Sequence, residues 1–181
     1  MAMRSRHIPK CDCGGSLLPT TFHEYDFSAY AGLRIVLEAI PGLRCDHCGG
    51  ETLDGKLINS VTTLLVFGIV KSPNRLDGEQ ARYLRRYLGQ TQKELAVVMG
   101  LVRETVADWE RGDGNISPQN DYVLRGITMS LMLKAGHIDG KEMHKIMTAA
   151  LGAVRNGLPG NEIQISSKDL ESFQSAARAV L

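Results

Sequence analysis

At 181 residues, the chain can bury a core as one domain or as two small ones. Its 21 basic and 20 acidic side chains leave a net charge of +1, so bulk charge does not announce nucleic acid. The longest apolar run, Leu64 to Val70, is far short of a membrane span, and the opening MAMRSRHIPK lacks a secretory apolar stretch, so a cytoplasmic protein with no membrane partner is expected.

All four cysteines fall in the first 48 residues, as Cys11-Asp-Cys13 and Cys45-Asp-His47-Cys48, each pair running into two glycines. In a cytosolic chain, paired cysteines favour metal over disulfide. Two thiolates on a tight, glycine-containing knuckle reach one Zn²⁺ at about 2.3 Å each, and a second knuckle closes the tetrahedron. Cys11, Cys13, Cys45 and Cys48 are therefore the expected ligands of one structural zinc per chain. The first pair is one residue shorter than the usual spacing, so His47 or His7 could replace a ligand; free buried cysteines or a redox pair are the other readings. Between the knuckles, Phe22 to Phe27 mixes aromatics with charge, and Leu33, Ile35 and Leu37 alternate with Arg34, Val36 and Glu38, the period of a half-buried strand. Pro41-Gly42 reads as a turn. Residues 1–53 are expected to form a small β-rich module that depends on its metal.

Residues 54–76 read as a helical linker. Asp54 caps a helix running towards Lys71, with Leu57, Val61, Leu64, Leu65 and Gly68 on one face and further apolar residues around it. Such a helix is either a connector packed between domains or a self-association surface. Ser72-Pro73-Asn74 is a break, and Asp77 with Gln80 caps the next helix, which carries Arg82, Arg85 and Arg86.

The stretch TQKELAVVMGLVRETVADWERG, Thr91 to Gly112, is the most informative. Thr91 and Glu94 form a capping box. Leu95, Ala96 and Met99 recur at helical spacing, Gly100 supplies a turn, and Val106 and Trp109 share a face of a second helix ending at Gly112. Counted from Gln92, a small residue is fifth, the turn glycine ninth and a branched apolar residue fifteenth. A helix-turn-helix needs this layout, because the fifth side chain lies under the crossing helix and the fifteenth plugs the angle between the two. An ordinary helical hairpin in a core is the competing reading. The stretch resembles the DNA-binding domain of the Cro/C1-type (XRE) repressors, in which TQKELA and WERG are typical.

In a helix-turn-helix, the second helix enters the major groove by its N-terminal end. Arg103 is placed to pair with guanine O6 and N7, Thr105 to touch a thymine methyl or a phosphate, and Gln92 and Lys93 to meet phosphates, as are Arg85, Arg86 and Arg111. Glu104 and Asp108 also face outward; a carboxylate can accept from cytosine N4 but is repelled by phosphate. Residues 71–125 hold nine basic and eight acidic side chains, so affinity for double-stranded DNA must come from local placement and from a homodimer with half-sites roughly 34 Å apart. Trp109 reads as core.

The tail is expected to be helical. Ser117-Pro118 starts a helix to about Ala135, closing the DNA-binding unit at residues 77–135. In residues 136–181, Asp139 and Glu142 begin a helix with Met143, Ile146, Met147, Ala150, Leu151 and Val154 on one stripe. Asn156 to Gly160 reads as a loop, Glu162 to Ser166 as a short strand, and Ser167 onward as a last helix with Leu170, Phe173, Ala177 and Val180 on one face. This extension either completes the core or forms a dimer or partner surface. The expected fold class is α+β: a β-rich zinc module, then an all-α helix-turn-helix domain with a helical extension.

The order of these parts carries a second resemblance. A knuckle, Tyr30-Ala-Gly-Leu33, Ile40-Pro-Gly-Leu-Arg-Cys45-Asp-His-Cys48-Gly-Gly, a linker and an XRE helix-turn-helix together look like the YgiT-type zinc-finger proteins, which include the MqsA-like antitoxins. The resemblance implies a dimer, a zinc-bound N-terminal domain that holds a small RelE-like toxin, and a DNA-binding domain that represses its own promoter. The chain departs from that pattern in its CxC first knuckle, in acidic Glu104 and Asp108, and in its length beyond the usual end. A sequence-specific repressor, the antitoxin of a type II toxin–antitoxin pair, is the expected function; a stand-alone zinc-containing regulator is the alternative. No paired carboxylates in a pocket-like setting, nucleophile motif or phosphate-binding glycine loop suggests an enzyme.

Overall fold

The computed structural model describes residues 9–28, 33–72, 74–153 and 163–166. His7, the loop expected at Asn156 to Gly160 and the last helix with Leu170, Phe173, Ala177 and Val180 lie outside them.

The fold mixes α and β. Strand β1 (Leu17–Asp26) and strand β2 (Ile35–Cys45) pair antiparallel from Leu17 opposite Cys45 to Asp26 opposite Val36. On the other edge of β2, β3 (Glu51–Thr52) pairs antiparallel with Leu43 and Arg44, and β4 (Ile163–Ser166) pairs in parallel with Ile35 to Glu38. The strand expected near residue 163 is present, and its place beside β2 was not announced by the sequence.

The alternation of Ile35 and Leu37 holds, and both are buried. The phase then changes at Ala39, whose φ of 52° is the left-handed conformation, so Ile40 and Gly42 become the inward residues. Pro41-Gly42 is not a turn. Both residues lie inside β2, with Pro41 opposite Thr21 and Gly42 opposite Thr20. Between β4 and β3, this stretch pairs, among the described residues, only with β1, the setting in which a residue without an N–H is tolerated in a sheet. Glycine is required at 42 by a neighbour: an added Cβ would lie 2.0 Å from Cε2 of Phe22, whose ring fills the space.

Six helices follow. Helix α1 (Gly55–Lys71) is capped by Asp54, whose carboxylate accepts from the Lys56 N–H at 2.9 Å. Its buried side is Val61, Leu65, Val66, Ile69 and Val70. Gly68, expected on the apolar face, is exposed instead. Helix α2 (Gly78–Tyr87) starts with the Asp77–Gln80 capping box, and α3 (Gln92–Met99) with the Thr91–Glu94 box. Then come α4 (Arg103–Arg111), α5 (Pro118–Lys134) and α6 (Gly140–Ala153). One apolar cluster runs from Phe22, Ile35, Leu37 and Ile40 of the sheet through α1 to Leu84, Leu95, Trp109, Leu124, Met129 and Ile146. Helix α1 packs against α2, α5 and α6.

A buried ion pair ties this core together. Arg125 and Asp121, one turn apart on α5, are each 1% exposed. The guanidinium donates to the carbonyls of Ile69, Val70, Ser72 and Asn74, so it caps the end of α1 and holds the segment after it. Asp121 Oδ2 accepts from Arg125 Nε at 3.0 Å, and Oδ1 accepts from the Leu76 N–H at 2.8 Å.

Helix α2 meets α4 with almost no gap. A Cβ at Gly78 would lie 1.9 Å from the Trp109 carbonyl oxygen, which is backbone and has no rotamer to yield. We expect Gly78→Ala to destabilise the protein by about 1–3 kcal/mol through overpacking. Gly55→Ala, where nothing lies within 4 Å, should change stability little. Urea denaturation of the two variants compares them directly.

Candidate metal centre and nucleic-acid interface

The two knuckles close on each other. In the first, Cys11 accepts through its carbonyl from Gly14, donates from its amide to the Gly15 carbonyl, and Gly14 adopts φ 87°. In the second, the Cys45 N–H donates to the Gly50 carbonyl, the Gly49 N–H to the Cys45 carbonyl, and Gly49 adopts φ 71°. Both glycines take the left-handed backbone that lets so short a segment reverse. Ser16 and Asp46 tie the knuckles to each other: the Ser16 N–H donates to Asp46 Oδ1 at 2.8 Å, and the Asp46 N–H donates to the Ser16 carbonyl at 3.0 Å.

All four cysteine sulfurs lie within 4.8 Å of one another. Cys11 and Cys48 are 3.7 Å apart, and Cys13 and Cys45 are 3.4 Å apart. Sulfurs on a tetrahedral ion with bonds of about 2.3 Å stand roughly 3.8 Å from each other, so the spacing fits one thiophilic ion, and it is far beyond a disulfide bond of about 2.05 Å. The short CxC spacing does not keep Cys11 or Cys13 out of the cluster. His47 contributes its backbone N–H, which donates to the Cys45 sulfur at 3.4 Å. Gly15 leaves room for the sulfur: a Cβ there would be 2.6 Å from Cys45 Sγ.

Backbone amides of Cys48 and then His47 hold the Cys45 thiol down at about 6. Cys48 moves the other way, to about 12: the Gly50 amide pulls it down, but the thiols of Cys13, Cys45 and Cys11 together outweigh it. Like groups this close compete for the same charge, and a cation held among them would let all four ionise.

The second candidate surface is built by α3 and α4. Gly100 takes φ 69° and ends α3, with the Leu101 N–H donating to the Ala96 carbonyl at 2.8 Å. Ala96, Val106 and Trp109 are buried on the inner side. Arg103 and Glu104 stand exposed at the start of α4 beside each other, 3.9 Å apart, with Thr105 and Asp108 half-buried one turn along. Lys93 is exposed on α3. Arg111 is exposed but engaged: its guanidinium pairs with Asp108 and, at 2.7 Å, with Asp113.

Gln92 and Arg85 have partners inside the protein. Both converge on Glu110, a residue that sequence reasoning missed. Its side chain is 3% exposed and accepts from Arg85 Nη2 at 2.9 Å and Gln92 Nε2 at 3.0 Å; Arg82 reaches its carboxylate at 3.5 Å and its carbonyl as well. The only hint in the sequence is an acidic residue beside a core tryptophan. Also missed are three exposed valines, Val97, Val98 and Val102, at the joint of the two helices.

No protein-family model and no curated protein matches this chain. The residues and their geometry therefore carry the functional reading by themselves. Among the described residues, no helix is long and apolar enough to cross a membrane.

Burial by itself would lift the Glu110 carboxyl, but the Arg85 and Gln92 hydrogen bonds and the charges of Arg85 and Arg82 hold it below its ordinary value of 4.5. A carboxyl depressed in the folded state contributes stability that is complete above the unfolded value and is lost as pH falls through the folded one. We expect stability to decline on acidification below pH 4.5, and Glu110→Gln to flatten that part of the curve while lowering stability at neutral pH. Denaturation midpoints measured across that range test the sign.

Proposed function

We propose that this chain is a sequence-specific DNA-binding transcriptional repressor that acts as a homodimer, with a structural zinc ion held by Cys11, Cys13, Cys45 and Cys48. We further infer that it is the antitoxin of a type II toxin–antitoxin pair, binding a RelE-like toxin and repressing its own operon. The observation that carries the DNA-binding reading is the α3–α4 pair, joined at left-handed Gly100 and seated on Ala96, Val106 and Trp109, with Arg103 at the free start of the second helix. Val102 precedes that helix and gives it no side-chain cap; the Thr105 N–H donates to the Val102 carbonyl at 3.2 Å, so it is the amides of Arg103 and Glu104 that meet a phosphate. Arg103 reads guanine, Thr105 meets a thymine methyl or phosphate, and Glu104 accepts from cytosine N4. Lys93 and Arg111 pair with phosphates in this reading, and each adds affinity without sequence information.

Cations and carboxylates balance on this edge, since Lys93, Arg103 and Arg111 face Glu104, Asp108 and Asp113. One copy therefore gains little from phosphates, and a two-fold pair of readers is needed to reach useful affinity. Arg103→Ala should weaken binding to the protein's own upstream DNA by about 1–3 kcal/mol, from roughly five-fold to somewhat over a hundred-fold, and relax preference at one base pair per half-site. Lys93→Ala should weaken all sequences alike and reduce the salt slope by about 1. A gel shift at several salt concentrations measures both; no sequence-dependent binding in low salt would end this reading.

A stand-alone regulator without a toxin is the second reading, favoured by β4, which occupies the edge of β2 that a partner's strand would otherwise find open. Co-purification from the source cell separates the two: a small mRNA-cleaving protein in stoichiometric amount supports the antitoxin, and its absence supports the regulator.

A further inference from the structure

We propose that Cys13 and Cys45 form a peroxide-responsive thiol pair, a modification site at which the two sulfurs are joined as a disulfide. Three observations carry it. The two sulfurs come from different knuckles and are 3.4 Å apart, nearer than Cys11 and Cys48 at 3.7 Å. Closing to a bond of about 2.05 Å asks for a small movement on glycine-jointed turns. Access is unequal. Cys13 is exposed at an open depression of about 400 Å³ lined by Gly14, Gly15, Ser16, Asp46 and His47, with no side chain on the two residues after it. Cys45 is only 3% exposed, so of these two an oxidant meets Cys13 first and Cys45 serves as the second thiol; Cys48 is exposed as well, but Cys11, its neighbour across the knuckles, stands farther off at 3.7 Å. Lastly, the Ser16–Asp46 hydrogen bonds join the knuckles through groups that are not metal ligands, so Cys13 and Cys45 are held side by side while the bond forms.

The chemistry balances with one hydroperoxide. The Cys13 thiolate attacks a peroxide oxygen, the O–O bond breaks, and hydroxide leaves to take up a proton as water, with Cys13 now a sulfenic acid. The Cys45 thiolate attacks that sulfur, the S–S bond forms, the S–O bond breaks, and the second oxygen departs as water after taking a proton. Two electrons pass from the sulfurs to the peroxide oxygens. An ion bound by four thiolates keeps only Cys11 and Cys48 and dissociates. This last consequence rests on the zinc reading above; the disulfide itself does not.

The test uses the full, unsubstituted chain loaded with Zn²⁺, its metal content measured first. It is titrated with hydrogen peroxide, free thiols are alkylated, peptides are mapped, and released ion is followed with a chromogenic chelator. One equivalent should remove two alkylatable thiols, yield a linked Cys13–Cys45 peptide and release the ion, and a thiol reductant with Zn²⁺ should restore the starting state. A Cys11–Cys48 link, sulfinic acid at Cys13 without a linked peptide, or four alkylatable thiols after excess peroxide would overturn the proposal. A chain that holds no metal yet gives the Cys13–Cys45 peptide would refute the zinc reading and leave the thiol pair standing.

Discussion

Cys45→Ser is expected to take metal content from one ion per chain to none and to melt the knuckles together with the end of β2 that carries them. Cys45 is the most buried of the four thiols, and its sulfur also receives the His47 N–H, so the substitution removes a thiolate ligand and leaves a shorter hydroxyl in its place to meet that amide. Structural zinc contributes on the order of 10 kcal/mol to small metal-dependent folds. The loss here should be graded along the strand. Leu43 to Cys45 and the short β3 have the cluster as their anchor, whereas Ile35, Leu37 and Ile40 are buried in the common core and should stay ordered. Metal analysis and amide exchange of β1 and β2 read the gradient. Uniform protection after metal removal would show that the sheet stands on its core alone.

Arg125→Ala should be the most damaging single change in the helical part. It removes the donor to four carbonyls at the end of α1 and beyond, and it leaves the Asp121 charge buried with only the Leu76 amide to satisfy it. Breaking one side of a buried pair costs about 3–5 kcal/mol. Asp121→Ala should cost a similar amount, and the double variant less than the sum, because the second substitution removes the charge that the first one orphans. Thermal unfolding of the two single variants and the double variant provides the cycle; strict additivity would mean that the pair is not coupled.

What the sequence made legible was local. Thr91 with Glu94, Asp77 with Gln80 and Asp54 each state a helix start in residues close enough to hydrogen-bond each other, and all three are present. Gly100 and Gly112 mark helix ends because the left-handed backbone there favours glycine. The four cysteines were readable because metal binding constrains residue type more than neighbourhood does. Pro41-Gly42 misled, because the turn signal ignores what a strand can tolerate where one edge is open and an aromatic ring covers the glycine. Glu110 and Arg125 were unreadable for the opposite reason: apart from Asp121, one turn from Arg125, their partners are Arg85, Gln92 and the carbonyls from Ile69 to Asn74, far along the chain, and no periodicity records such meetings. The same holds for Gln92, a surface polar residue by spacing and half-buried in fact.

The parallel pairing of Ile163 to Ser166 with Ile35 to Glu38 also sets a schedule. During synthesis, β1, β2 and the knuckles emerge from the ribosome early, and the strand that completes the edge of β2 emerges only after every described helix. Until then, four residues of that edge face solvent with unmet backbone groups, a template for any extended segment nearby. The nascent protein must either wait, with a slow closing step of high contact order, or be guarded by whatever binds the vacancy first.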